Sequence, residues 1–351
     1  TPSYSKAKDY EIRDGIKIKR FNYFFSKRFQ KLAYGDGLAI NLRNDPSLWF
    51  QVPFFNFFMF NSIRNEMKNY DLIHAHFGLS GLMSIIARFF SNKKIPIITS
   101  FYGKDIDLAR KFLPLFKILF RKGDLFITLS KDMGKELESL GCKKEKIIPL
   151  NLGVNVNEFK YKKRTKKKKI TILLIGRLIE KKGIKYAIEA VSKIKNVEFR
   201  ILGDGYLEKE LKNLAKKLNC DIKFISYKGI KDTRKLTVKE YYNADLFLLP
   251  SVVSKDGDKE GTPFVLMEAQ STGLCCISTF HAGIPEIVVN NKTGLLVREK
   301  DVNAIKEKLL YFNDYRKRVE FGKNGRKNIE KNFNQEKQVE SFISCYKKVK
   351  K

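Results

Sequence analysis

The stretch ADLFLLPSVVSKDGDKEGTPFVLMEAQSTGLCCIST, residues 244–279, decides the architecture. ADLFLLP (244–250) is almost continuously apolar, the pattern of a strand buried on both faces. A polar loop follows. Thr262 is a plausible N-cap and Pro263 the first helical residue, where a missing N–H costs nothing. Gly273 suits the left-handed position that closes a helix, so a helix is expected at about 263–272. LCCIST (274–279) is a second buried strand. A strand, a crossover helix and a second strand make a parallel βαβ unit, which places chemistry in the loops after strands.

The same alternation extends in both directions. Upstream, ITILLIG (170–176), VEFRILG (197–203) and IKFIS (222–226) read as strands, and downstream GLLV (294–297). Helices fill the gaps at about 183–194, 206–218 and 235–242, then 301–311 and 314–331. A first series precedes them, with strands at 71–77, 95–101, 124–130 and 146–153. Helices are expected between these at 79–90, 107–121 and 131–140. The expected fold class is α/β, with two Rossmann-like domains facing across a cleft. Residues 1–159 form the first domain and 170–333 the second. KYKKRTKKKK (160–169), with eight basic residues in ten, reads as a solvated linker. Val339, Phe342, Ile343, Tyr346 and Val349 keep helical spacing, so a helix within 334–351 is expected to cross back onto the first domain. DGIKIKRF (14–21) reads as a strand after a turn. The strand–glycine loop–helix unit that opens such a domain is not seen before it, so one βα unit is expected to be missing upstream.

Composition excludes some functions. The longest apolar stretch, LWFQVPFFNFFMF (48–60), is too short for a membrane span and is broken by Pro53. Five scattered cysteines without a C-x2-C pair favour a reducing cytosol, with a peripheral position on the inner face of the cell membrane as an extension. Net charge is +32, from 70 Lys and Arg against 38 Asp and Glu. Two readings of that charge stand: a polyanionic partner, or a lysine-rich composition without functional meaning. No nucleic-acid motif supports the first, so no nucleic-acid partner is expected. RFNYFFSKRFQK (20–31) and RKFLPLFKILFRK (110–122) mix aromatic and basic residues. They fit either docking on an anionic membrane surface or an ordinary buried helix face.

Three loops carry candidate chemistry. GRLIEKKG (176–183) places Arg177 and Lys182 before and at the start of a helix, a diphosphate-binding pattern. GDGYLEKEL (203–211) supplies Gly203 and Gly205, either for close ligand approach or for a plain βα turn. EGTPFVLMEA (260–269) puts Glu260 on a loop and Glu268 about 7.5 Å along the helix axis. Spacing alone proves nothing, since Glu299 and Glu307 repeat it.

Together, in this order, these loops resemble the family-4 retaining glycosyltransferases of the GT-B fold, over about 71–350. HAGIPEIV (281–288) and NKTGLLV (291–297) add to the resemblance, and HAHFG (74–78) is most similar to enzymes of exopolysaccharide and surface-glycan assembly. The resemblance implies transfer of a hexose from a UDP- or GDP-sugar to a saccharide or lipid-linked acceptor. The anomeric configuration would be retained, with no metal or other cofactor. It implies that Arg177 and Lys182 hold the diphosphate, Glu268 the ribose and Glu260 the donor sugar. Gly261, Thr262, Pro263 and Phe264 would present backbone around sugar and phosphates, and FISYKG (224–229) would flank the base. The missing unit would carry a glycine-rich loop near the donor phosphates and the acceptor.

One position departs from the family. SFYGKDID (100–107) has Tyr102 before Gly103, where members commonly carry histidine, and a tyrosine is a poor base. His76 and Asp105 are the candidates to replace it, and His281 is a candidate to line the cleft. His74 and His76 lack a third partner for zinc, and DGD (256–258) reads as a loop, so no metal site is expected. Two rival functions remain at this level: a nucleotide-sugar epimerase of the same architecture, and a non-enzymatic polyanion binder.

Overall fold

The computed structural model describes residues 1–35 and 37–350. Twelve strands are assigned among them. β1 (Tyr10–Arg13) and β2 (Ile16–Lys19) form an antiparallel hairpin. Its turn is Asp14–Gly15, both at positive φ, the backbone a tight two-residue hairpin needs. DGIKIKRF therefore forms a strand after a turn, but outside the parallel sheets.

β3 (Ile73–His76), β4 (Ile97–Phe101), β5 (Leu125–Thr128) and β6 (Ile147–Pro149) form one parallel sheet in that order. β7 (Ile170–Ile175), β8 (Val197–Leu202), β9 (Ile222–Ile225), β10 (Leu246–Leu249), β11 (Cys275–Thr279) and β12 (Gly294–Val297) form a second. Its order is β12-β11-β10-β7-β8-β9, and each pairing is parallel. The chain thus has the α/β class and the two-sheet arrangement expected of it.

Both faces of each sheet are covered, which is why the strands read as apolar runs rather than as alternations. Along β7 and β10, Ile172, Leu174, Leu246 and Leu248 enter one core, while Leu173, Ile175, Phe247 and Leu249 enter another. In the first sheet, Ile97, Phe101 and Phe126 pack under helices of the same region. Ile98, Leu125 and Ile127 face the other way, against Phe342, Cys345, Tyr346 and Val349 of the final helix, Gln335–Lys350. That helix closes a face the N-terminal sheet would otherwise expose.

Two expectations need correction. The helix expected at 107–121 is two helices, Lys104–Lys111 and Leu113–Lys122, broken at Phe112. Pro114 is the cause: in a continuous helix its ring would strike the carbonyl four residues earlier. The basic run 160–169 is not wholly solvated either. Arg164 is 5% exposed, and its guanidinium donates to the carbonyls of Tyr241, Tyr242, Ala244 and Thr272 at 2.9–3.0 Å. A planar five-donor group can satisfy several helix-end carbonyls at once, which ammonium groups on the neighbouring lysines cannot match.

Candidate active site between the two sheets

Loops after β4 and β5 meet loops after β10 and β11, so the carboxyl ends of both sheets line one cleft. The contacts are specific. Thr262 Oγ1 donates to the carbonyl of Leu129 at 2.8 Å. The amide of Lys131, first residue of the helix Lys131–Ser139, donates to Glu286 Oε1 at 2.8 Å. Lys259 Nζ lies 3.2 Å from Glu136. Beside these contacts lies a cavity of about 130 Å³, lined by Tyr102, Lys104 and Met133 from one side and Lys181, Asp258 and Glu260 from the other. It is smaller than the roughly 300–1,000 Å³ of ordinary ligand sites, and Lys259 and Thr262 contact the first domain beside it.

Thr262 is therefore not the N-cap. Its hydroxyl is spent across the cleft, the cap position falls to Pro263, and the helix runs Phe264–Ser271. No side chain caps its N-terminus, which leaves amide N–H groups and the positive end of the helix dipole open to an anion. Pro263 is buried behind them, and Phe264 is exposed at the first turn.

Glu260 is 8% exposed, and its Oε1 stands 2.7 Å from Lys182 Nζ. The angle makes this an ion contact rather than an aligned hydrogen bond, and that oxygen has no other partner. Lys182 ends a short turn, Glu180–Lys182, and its stem lies against Gly176. Gly183, at φ 62, allows the chain to pass β10: a Cβ there would sit 1.8 Å from the carbonyl oxygen of Pro250. Arg177 is exposed and forms no ion pair among the described residues. Lys181 pairs with Asp258 at 3.1 Å and Lys104 with the same carboxylate at 3.7 Å, pinning the loop before Glu260.

Behind Glu260 sits His281, 1% exposed. The Glu260 amide donates to His281 Nε2 at 2.9 Å, so the proton of a neutral ring is on Nδ1. Nδ1 lies 2.6 Å from Glu299 Oε1, while Glu299 Oε2 accepts from the Val253 amide at 2.9 Å. His281 does not line the cleft. It braces the backbone that carries Glu260. Glu299, whose spacing to Glu307 looked accidental, holds both the imidazole and the loop after β10.

Glu268 is 5% exposed. One carboxylate oxygen accepts from Arg234 Nη1 at 2.7 Å and the other from the Tyr241 hydroxyl at 2.9 Å. Arg234 also grips Glu158 through Nε and Nη2, at 2.5 and 3.0 Å, and stacks 4.3 Å above the Phe159 ring. The two carboxylates raise the Arg234 pKa, and burial holds the Tyr241 hydroxyl well above its usual value. Sequence reasoning missed Arg234, Tyr241 and Glu158. An arginine at the start of a polar helix carries no local mark of its partner 34 residues on.

Gly203 and Gly205 serve the neighbouring loop. A Cβ on Gly203, at φ 151, would lie 2.0 Å from the Gly176 oxygen, and one on Gly205 would lie 2.4 Å from the Leu178 oxygen. Asp204 between them accepts from Ser226 Oγ and the Tyr227 amide, so the loops after β7, β8 and β9 are stitched together. A Cβ on Gly261 would make only ordinary contacts, 3.8–4.0 Å from the Tyr102 carbonyl and the Leu129 and Met133 side chains, so these neighbours do not require a glycine there.

On the opposite wall, Tyr102 OH lies 2.5 Å from His76 Nδ1, with the rings nearly parallel. Phe77 packs on Tyr102 at 5.0 Å and holds φ 74, a region costly for a bulky side chain by about 1–3 kcal/mol. Burial lowers the His76 pKa and raises that of Tyr102. Asp105, the other candidate for the histidine's place, sits under the turn at Tyr102 and Gly103. It is buried, and its carboxylate accepts from the amides of Tyr102, Gly103 and Gly78 at 2.9–3.2 Å. Burial raises its pKa against the pull of those amides. Among the described residues, no cluster of three or more potential metal ligands occurs.

Facing parallel α/β sheets with cations, acids and an open helix N-terminus at their shared edge define the GT-B class. Solved structures share the arrangement. A sucrose-phosphate synthase from Thermosynechococcus elongatus superposes with TM-score 0.78 over 99% of this chain and 87% of its own, at 18% identity. Anabaena Alr3699/HepE in complex with UDP gives 0.73 over 90% of each chain, also at 18% identity. Residues 1–158 match Glycosyltransferase Family 4, and residues 155–328 match Glycosyl transferases group 1.

WcaL of Escherichia coli (strain K12), a glycosyltransferase named for colanic acid biosynthesis, is 34% identical over 276 residues, 76% of this chain and 68% of that protein. The amylovoran biosynthesis glycosyltransferase AmsK of Erwinia amylovora is 33% identical over 251 residues, 68% of this chain and 60% of its own length. The chain belongs to the family-4, group 1 glycosyltransferases. It spans about two thirds of the length of these two relatives.

Proposed function

We propose that the protein transfers a hexosyl group from a UDP- or GDP-sugar to a saccharide or lipid-linked acceptor of surface-polysaccharide synthesis, with retention. The observation that carries this reading is the Lys182–Glu260 contact beside the uncapped helix Phe264–Ser271, at the wall facing Tyr102 and His76. Relatives named for colanic acid, amylovoran and capsular polysaccharide biosynthesis support the acceptor class. A UDP complex of one structural neighbour supports a nucleotide diphosphate in the cleft.

Each group then has a role. The diphosphate sits on the helix N-terminus, and Arg177 and Lys182 compensate its charge. Lys182 leaves Glu260 for the phosphates, which frees the carboxylate for donor-sugar hydroxyls. Gly261, Thr262, Pro263 and Phe264 shape the backbone around them. Glu268 keeps Arg234 and Tyr241 and accepts from the ribose diol with its remaining lone pairs. In the transfer, the bond from C1 to the phosphate oxygen breaks and a bond from C1 to the acceptor oxygen forms on the same face. The acceptor proton passes to the departing phosphate oxygen, so no protein nucleophile is required. Tyr102 and His76 orient the acceptor, and no metal or other cofactor takes part.

A thermal-shift screen of UDP- and GDP-sugars, followed by product analysis with a saccharide acceptor, tests the reading. Expected are a stabilising donor, acceptor-dependent release of nucleoside diphosphate and an axial product from an axial donor. Lys182→Ala should lower turnover about 10²–10³-fold. Conversion of the donor sugar without acceptor would indicate an epimerase. Full function in Glu268→Ala would indicate a polyanion binder.

A further inference from the structure

The helix Thr233–Asn243 turns hydrogen-bonding groups inward. Its buried residues are Thr237, Glu240 and Tyr241, none of them aliphatic. Buried polar groups are kept where they have partners, and two of these partners belong to the site described above. Arg234, Thr237 and Tyr241 are three and seven residues apart, so they share one side of the helix. Thr237 Oγ1 meets the Tyr227 hydroxyl at 2.9 Å, and the Tyr227 amide donates to Asp204 at 3.0 Å. Arg234 and Tyr241 both reach Glu268. One side of a single helix thus joins the loop after β9 to the acid on the helix Phe264–Ser271.

The clamp on Glu268 is unequal. Tyr241 has one hydroxyl proton, which the Glu268 carboxylate at 2.9 Å shares with the Val265 carbonyl at 3.1 Å. Arg234 supplies a full charge and forms the only ion pair of Glu268 among the described residues. A carboxylate taken out of water needs such a partner. Arg234 is itself exposed, and Glu158 holds it in place. The Glu158 carboxylate accepts from Nε and Nη2 at 2.5 and 3.0 Å, a bidentate contact along one edge of the guanidinium. The face of the guanidinium lies 4.3 Å from the centre of the Phe159 ring, which is buried in the core. Three nitrogens and one face are committed, so the plane of the group is fixed.

We propose that Arg234, held by Glu158, is the positioning residue that makes this site select ribonucleoside over deoxyribonucleoside diphosphates. An ionised carboxylate has about four lone-pair sites, two on each oxygen. Arg234 takes one on Oε1 and Tyr241 one on Oε2. One site stays free on each oxygen, side by side, which matches the paired hydroxyls of a ribose cis-diol. A carboxylate fixed in this way is left with an unpaired oxygen when the 2′-hydroxyl is absent. A carboxylate free to turn would pair with whatever remains. Sites built to bond a hydroxyl reject the analogue that lacks it for the first reason. The inference rests on the nucleotide-sugar reading, in which Glu268 meets the ribose, and adds the residues that give this contact its selectivity.

Calorimetric titration with UDP and GDP, and with 2′-deoxy-UDP and 2′-deoxy-GDP, tests it. The readout is the ratio of ribo to deoxy affinity within each variant, from which a general loss of stability cancels. The intact chain should bind its preferred ribonucleotide about tenfold or more tightly than the deoxy counterpart. Arg234→Ala should bring the ratio to within about threefold of unity. Arg234→Lys should restore little of it, because an ammonium does not bridge two carboxylates in one plane. Glu158→Ala changes a partly exposed side chain and leaves both partners of Glu268 in place, yet it should lower the ratio about threefold or more. Melting curves show which variants are folded, and Glu158→Ala decides alone if Arg234→Ala is not. The proposal is overturned if either alanine variant, folded, keeps the parent's ratio. A parent that binds UDP or GDP with no preference for ribose also overturns it, and leaves the nucleotide-sugar reading standing. A parent that binds neither nucleotide overturns both.

Discussion

At the scale of single residues, the support of Glu260 is as informative as Glu260 itself. The His281 ring accepts from the Glu260 amide on one nitrogen and faces Glu299 on the other. Neither side chain lines the cavity beside Glu260, so under the proposed function both would act through loop position. His281→Ala removes the acceptor of a buried amide, a loss of about 1–3 kcal/mol concentrated on this loop. Turnover should fall about tenfold or more, while calorimetry should find the affinity for free UDP or GDP within about twofold of the parent. Glu299→Gln keeps a carbonyl oxygen for Nδ1–H and should retain most activity, whereas Glu299→Ala should resemble His281→Ala. Equal loss in both Glu299 variants would show that charge, not orientation, is what Glu299 supplies. Glu260, Lys182 and Glu268 were legible as candidates because their motifs are local. Glu299 was not, because its partner is 18 residues away and joined to it only by the fold.

At the scale of elements, glycines and one arginine decide how loops after strands are held. Gly203→Ala would force a Cβ into the Gly176 carbonyl at a backbone conformation that L-residues avoid. Destabilisation of about 2–4 kcal/mol is expected in urea unfolding, together with weaker nucleotide binding, because the clash falls on the loop that carries Arg177. Arg164→Lys should cost nearly as much as Arg164→Ala, about 2–4 kcal/mol, since an ammonium cannot reach four carbonyls in a plane. The sequence did hold a signal for Arg164: it is the one arginine in a run of seven lysines. Strand positions were legible to within a few residues because two-sided burial leaves an apolar run. The break at Phe112 has a local cause in Pro114, but the helical spacing of apolar residues runs on across it and hides the break.

At the scale of the whole molecule, the final helix ties the C-terminal segment to the N-terminal sheet. His74 on β3 lies 2.8 Å from Tyr346 OH on that helix and 2.7 Å from Ser100 Oγ. Burial, then the neighbouring His76, lowers its pKa from 6.5 to about 4. The nearby titratable groups are His76, Tyr102 and Tyr346, with no carboxylate in contact to stabilise a cation. A base with a lowered folded-state pKa binds protons better when unfolded. Its destabilising effect is therefore absent above about pH 6.5 and grows as pH falls toward 4. The melting temperature should drop across that window, and His74→Asn should flatten the drop while lowering stability at neutral pH. An unchanged slope in the variant would assign the acid sensitivity to other groups.

The sequence alone determined the α/β class, the two parallel sheets and the candidate acids and cations, because burial periodicity and short motifs are encoded within about ten neighbouring residues. Tertiary structure alone decided that Thr262 bridges the cleft instead of capping its helix, that Asp105 is spent on backbone amides, and that His281 with Glu299 carries Glu260. It also decided which aromatic rings face water. Each of these depends on a partner far along the chain, and a hydrogen bond or a buried face forms between surfaces that only folding brings together.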